Sequence, residues 1–257
     1  MFARPPAPRR VDRRGALNRQ AMRSFAAALA FVALVAGRAV AEPCSSASGI
    51  HGSIAPQIAH VYNQIATDAD VLPASYDATL DARNGEFSVA LQTDYSRYDS
   101  QHAGASTATV VHTIAGPTVS VPWFVASDRT STVHVGACTH LLRLYAGIGY
   151  VQTQSSYGYP YGYGPLRGAG AGLERFAEPA RRFDAFGSLY YYPAAAGAYG
   201  SGSVSYALLS FHGGLRWRLG GSGLGLIVGL DEEMRTLRPG MRSGFMISDG
   251  PFVGLDF

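Results

Sequence analysis

Lysine is absent from the 257 residues, so every permanently charged cation is arginine, whose planar and weakly hydrated guanidinium suits a buried ion pair better than an ammonium does. Also missing is an apolar run of the roughly 20 residues that a membrane-spanning helix needs; SFAAALAFVALVAG, over residues 24–37, falls short. Cysteine occurs only at Cys44 and Cys138. The seven histidines, His51, His60, His102, His112, His134, His140 and His212, are scattered. None stands at His-x-x-x-His spacing with an acidic partner, so no metal site is expected. No cofactor is expected either. The glycine-rich stretches 168–172 and 221–225 lead from no strand into a helix, which excludes a nucleotide loop and leaves small strand residues.

What is present begins with a leader. Arg19 and Arg23 precede the apolar run and Ala39-Val40-Ala41 follows it, the order of a secretory signal peptide cut after residue 41. A start at Met22 would give that leader an ordinary size. Residues 1–41 hold eight of the 21 basic residues and one of the 18 acidic ones, which leaves 13 basic against 17 acidic and a net charge of −4. The positive balance of the whole chain therefore belongs to the leader and gives no support for nucleic-acid binding. Export would place Cys44 and Cys138 in an oxidising compartment. A disulfide between them and two unrelated thiols are both open readings, because pairing is not deducible from sequence.

From about residue 85 the pattern has period two, the mark of strands with one apolar face. Phe87, Val89, Leu91 and Tyr95 alternate with Ser88, Gln92, Asp94 and Ser96; Leu142, Leu144, Ile148 and Tyr150 oppose Arg143, Tyr145, Gly147 and Gly149. The alternation recurs over 119–126, 131–138, 183–191, 209–219, 224–234 and 251–257, and fits less well over 107–114 and 168–176. The count is ten strands, or eight if residues 99–129 form one loop. A soluble sandwich has the same period, but Tyr and Trp cluster near the strand ends as in the aromatic girdles of membrane interfaces.

The chain ends on Pro251-Phe252-Val253-Gly254-Leu255-Asp256-Phe257, with Val253, Leu255 and Phe257 on one face. Here it resembles outer-membrane β-barrel proteins of Gram-negative bacteria, whose last strand closes on an aromatic residue, usually Phe. The resemblance implies an all-β, antiparallel transmembrane barrel over residues 85–257, with Val253, Leu255 and Phe257 as the signal read by the barrel-assembly machinery. Outer-membrane lipid and lipopolysaccharide are the implied surroundings.

If the apolar faces meet lipid, the opposite faces line the barrel, and they carry Asp94, Arg143, Glu174, Asp184, His212, Arg216, Arg218, Asp231, Glu233 and Asp256. A barrel this narrow leaves little room beyond side chains, so mixed charges there are expected to pair and fill the lumen. The turn at Gly220–Gly223 sets Leu219 opposite Leu224, which places Trp217 opposite Leu226, His212 opposite Asp231 and Ser210 opposite Glu233. Ser210, His212 and Asp231 are the residue types of a hydrolytic triad; the other reading is a structural polar network. A non-enzymatic barrel with a structural role or acting through its loops, an outer-membrane lipid or ester hydrolase or acyl-modifying enzyme, and a narrow pore for small solutes are thus the three functional expectations.

Two segments flank these strands. Residues 42–84 show Ile54, Ile58, Val61, Tyr62 and Ile65 at helical spacing after a possible cap at Ser53, which predicts a short periplasmic helix at the barrel mouth. Residues 155–168 read SSYGYPYGYGPLRG, an exterior loop whose Tyr157, Tyr159, Tyr161 and Tyr163 suit contact with sugars, headgroups or another surface.

Overall fold

The computed structural model describes residues 48–57, 60–62, 69–71, 75–99, 109–112, 118–121, 125–155, 165–199, 202–221, 223–237 and 245–257, all in one compact unit, Val40–Phe257. Among them are the strands β1 (Gly49–Pro56), β2 (His60–Tyr62), β3 (Ala69–Val71), β4 (Tyr76–Arg83), β5 (Phe87–Asp99), β6 (Thr109–His112), β7 (Thr118–Val121), β8 (Val125–Cys138), β9 (Tyr145–Ser155), β10 (Leu166–Arg175), β11 (Phe183–Tyr199), β12 (Gly202–Arg218), β13 (Gly225–Leu237) and β14 (Phe245–Asp256). No helix occurs among the described residues.

Ten strand positions close into a ring of antiparallel pairs. From β5 the chain runs through β8, β9, β10, β11, β12, β13 and β14, each bonded to the next, and β14 then pairs with β1, β1 with β4, and β4 with β5. β1 and β2 make one wall strand, because both meet β14 in one unbroken register: Ser53 faces Asp256, Gln57 faces Phe252, His60 faces Asp249 and Tyr62 faces Ile247. β3 and β4 together make the second, facing β5 with a slip of register between them. Both ends of the ring, Gly49 and Phe257, lie at one mouth, the terminal end; Asp99 and Val125, where β5 ends and β8 begins, and Ser155 and Leu166, where β9 ends and β10 begins, lie at the other, the loop end.

Local chemistry accounts for the turns at the terminal end. Leu219 N donates to Leu224 O at 2.8 Å, closing a four-residue loop in which Gly220 and Gly223 take φ of +61° and +79°, a conformation that costs glycine nothing. In the 139–144 turn three residues other than glycine, His140, Leu142 and Arg143, take φ of 56°, 52° and 58°. Thr139 Oγ1 holds that turn, donating to Leu144 O at 2.8 Å and accepting from Leu141 N at 3.2 Å.

The number of strands agrees with the sequence reading, but two of the ten come from elsewhere. Residues 107–114 and 119–126 were expected in the barrel wall. Instead β6 and β7 pair only with each other as a separate two-stranded sheet, and the wall strand that follows begins at Val125. The missing pair is supplied from residues 42–84. Ser53 and Ile54, expected to open a helix, sit in β1, and Val61 and Tyr62 in β2; Ile58 and Ile65 lie outside the described residues. The competing signal was present: Asp77, Thr79, Asp81 and Arg83 alternate with Ala78, Leu80 and Ala82 along β4.

The distribution of polarity is inverted relative to a water-soluble fold. Ile50, Leu80, Leu91, Val135, Ile148, Leu173, Leu230 and Val253 point outward and are between 43 and 75% exposed. Asp77, Arg83, His134, Arg143, Glu174, Asp184, His212, Arg216, Asp231, Glu233 and Arg235 point inward and are each at most 7% exposed. Phe257 belongs to the outer face: its backbone exchanges hydrogen bonds of 2.9 and 2.8 Å with Gly52, and its ring lies where a Cβ on Gly52 would meet it at 3.0 Å.

Candidate functional site

The interior of the ring is the candidate site, and it is filled in two ways. On the wall formed by β9 to β12 the filling is aromatic and aliphatic. Val151, Leu166, Tyr190, Tyr192, Ala195, Val204, Tyr206 and Leu208 form one buried cluster, set over a floor of glycines. A Cβ on Gly172 would come within 2.6 Å of the Tyr190 ring, and one on Gly149 within 2.8 Å of the Tyr192 hydroxyl. The glycine-rich stretch 168–172 is therefore the inward face of β10, where small residues leave room for large ones opposite.

His134 joins this cluster to the polar interior. Its ring stacks on Tyr190 at 3.7 Å and 10°. Its Nε2 lies 2.9 Å from the Tyr192 hydroxyl and its Nδ1 lies 3.4 Å from Glu174 Oε2. Ser88 Oγ donates to the other Glu174 oxygen at 2.7 Å.

The remaining filling is ionic. Near the terminal end Asp184 accepts from Arg143 Nη1 and Nη2 at 3.2 and 3.3 Å, from Arg175 at 2.8 Å and from the Glu178 backbone N–H at 3.0 Å. Arg216 bonds Asp256 and donates to Gly223 O at 2.7 Å. Arg83 donates to Asp81 at 2.6 Å and lies 4.7 Å from the Phe176 ring centroid. Farther toward the loop end Arg235 bonds Glu233 and donates to Thr130 Oγ1 at 3.0 Å. Buried charge is tolerated when it is paired, and each of these carboxylates faces an arginine.

A fourth cluster differs in having one imidazole among three carboxyls. His212 Nδ1 lies 2.6 Å from Asp77 Oδ2, and Gln57 Nε2 donates to Asp94 Oδ2 at 2.8 Å and to Asp231 Oδ2 at 3.2 Å. Asp94 and Asp231 thus share one amide as their donor. The His212 ring stacks on Phe252 at 4.7 Å and 7°. A cavity that includes Ser53, Thr79, Asp81, His134, Glu174 and His212 in its lining reaches the 176–182 turn at the terminal end.

Every residue of the expected lumen network, Asp94, Arg143, Asp184, His212, Arg216, Asp231 and Glu233, belongs to one of these clusters. Arg143 reaches its partner from the 139–144 turn, since β9 begins at Tyr145. The β12–β13 register is as expected, with Ser210 facing Glu233, His212 facing Asp231 and Trp217 facing Leu226. No hydrogen bond joins Ser210 to His212, however, because neither ring nitrogen has a hydrogen-bond partner; the acid nearest the imidazole is Asp77, on β4. Cys138 ends β8 beside the 139–144 turn, its N–H donating to Glu86 O at 2.8 Å. Cys44, Tyr157, Tyr159, Tyr161 and Tyr163 lie outside the described residues.

Sequence reasoning missed Gln57, Asp77, Asp81, Arg83 and Arg235 as interior groups. The first four sit on the two wall strands taken for a periplasmic segment. Arg235 follows Glu233 by two residues on the same strand, so the alternation that marked Glu233 extends to it.

Fold and interior together define a ten-stranded antiparallel β-barrel with a polar, charge-paired core. No family model matches the chain, and no curated protein matches it in sequence.

Proposed function

We propose that this protein is a small outer-membrane β-barrel with a filled lumen, exported by a leader over residues 1–41 and acting structurally or through surface interaction at its loop end. The observation that carries the reading is the inversion of polarity. Aliphatic or aromatic side chains stand exposed on each of the ten strands around the ring, a continuous apolar belt of a kind that a soluble monomer does not present. In hydrocarbon such a belt is at rest, and a closed sheet satisfies every backbone donor and acceptor.

The filled interior argues for a barrel that conducts poorly. Buried ion pairs and the Tyr190–Tyr192 cluster occupy the space that a pore would leave to water. Lipid and lipopolysaccharide are the expected neighbours of the belt, and the barrel-assembly machinery is the expected partner during insertion. The loop-end connections are where a surface partner would be met.

Fractionation of cells making the protein tests the reading. The expected result is recovery in the outer-membrane fraction, extraction only by detergent, and an electrophoretic mobility that changes on boiling. A detergent-free monomer in buffer would refute it. In planar bilayers the purified barrel is expected to give a silent trace; steady unitary conductance would replace the filled-lumen reading with the narrow pore.

A further inference from the structure

We infer that Asp77, His212 and Asp231 form a binding site for a divalent transition-metal ion, of the zinc class, inside the barrel. These side chains come from three wall strands, β4, β12 and β13, and each presents a ligand atom within 4.8 Å of the other two. All three are buried, at 2, 4 and 5% exposure. The unpaired atoms are the telling ones: Asp77 Oδ1 and Oδ2, His212 Nδ1 and Nε2, and Asp231 Oδ1 are all shut from solvent without a hydrogen bond. His212 Nδ1 and Asp77 Oδ2 are close enough to bond at 2.6 Å but are not aligned to do so. Buried polar atoms are normally satisfied, and a shared cation held by one atom of each residue would satisfy three of these five.

Charge points the same way. Asp77 and Asp231 flank a single imidazole, and among the described residues no arginine bonds either of them, in contrast to Asp184, Glu233 and Asp256. A neutral imidazole with two carboxylates is a hard-to-borderline nitrogen and oxygen set, which zinc accepts with water completing four-coordination. With bonds of about 2.1 Å, tetrahedral ligand atoms stand roughly 3.4 Å apart, so small side-chain rotations close the site. Gln57 supplies the outer support: its amide holds Asp231 Oδ2 and Asp94 Oδ2, leaving Asp231 Oδ1 for the ion. The cavity near the terminal end reaches one member of the set, His212.

The site is independent of where the barrel resides, so failure of the membrane reading and failure of this one are separable. The test is zinc binding by the intact protein purified in detergent, with stoichiometry read by mass spectrometry of the metal after dialysis. About one zinc per chain is expected, with wild-type affinity reduced more than about 100-fold in Asp77→Asn and His212→Ala and by about 10–100-fold in Gln57→Ala. The boiling-dependent mobility shift shows whether each variant is folded. Wild-type protein alone provides a second readout. Cobalt(II) added in place of zinc is expected to give the visible d–d bands of a four-coordinate nitrogen and oxygen site, and excess zinc is expected to abolish them. A folded wild type that retains no zinc and gives no cobalt bands overturns the site, as does equal retention by folded Asp77→Asn and His212→Ala.

Discussion

The two halves of the interior solve one packing problem by different means. Across β9 to β12, tyrosines and aliphatic side chains lie on a glycine floor, and the fit is one of volume. Across β13, β14, β1, β4 and β5, and at the terminal end of β10, β11 and β12, the filling is carboxylate, guanidinium and imidazole, and the fit is one of charge. The first half tolerates no added atoms and the second tolerates no lost partner, so the two should fail under different substitutions.

The largest effect is expected where charge is concentrated. Asp184→Leu takes from Arg143 and Arg175 the carboxylate they share, and removal of one member of a buried pair costs about 3–5 kcal/mol; a drop of that size in the urea unfolding free energy is the check. Next comes a change on the outer face, which sharpens the comparison by testing neither filling. Ile148→Arg puts a charge on the apolar belt near mid-strand, and about 2–4 kcal/mol of destabilisation in lipid is expected if that belt meets hydrocarbon. A loss under 0.5 kcal/mol in bilayers would argue against that placement.

Smaller effects belong to the aromatic half. Gly172→Val forces atoms against the Leu189 carbonyl oxygen as well as the Tyr190 ring, and overpacking of this kind costs about 1–3 kcal/mol or more, visible as an earlier loss of the folded band on heating. Tyr192→Phe keeps the volume and removes only the hydroxyl beside His134 Nε2, so about 0.5–1.5 kcal/mol is expected by the same titration. If Tyr192→Phe proved as damaging as Asp184→Leu, the division between volume and charge would not hold.

The wall was legible where side chains alternate strictly. Phe87 to Tyr95, Tyr145 to Val151 and the whole β12–β13 hairpin follow from period two, and the Gly220–Gly223 turn set a register that the structure repeats residue for residue. Ile54, Ile58, Val61, Tyr62 and Ile65 fall at intervals that suit a helix. The pattern therefore reads as a helix after Ser53, where the chain instead continues β1 with Ile54 facing out and Ser53 facing in. The interior groups were legible one strand at a time, but their partners were not. Asp184 and Arg143, or His212 and Asp77, meet across the lumen because of ring closure, and no spacing along the chain encodes which residues face each other through the middle.

Closure of the ring has a consequence for assembly. The seam joins Ser53 to Asp256 and Gly52 to Phe257, so the first strand waits, with one edge bare, until nearly the whole polypeptide has arrived. Loop entropy for such a junction must be met before its bonds return anything. An intermediate with every hairpin formed would still be an open, sticky ribbon, and shielding that edge is the task a folding helper would have to perform.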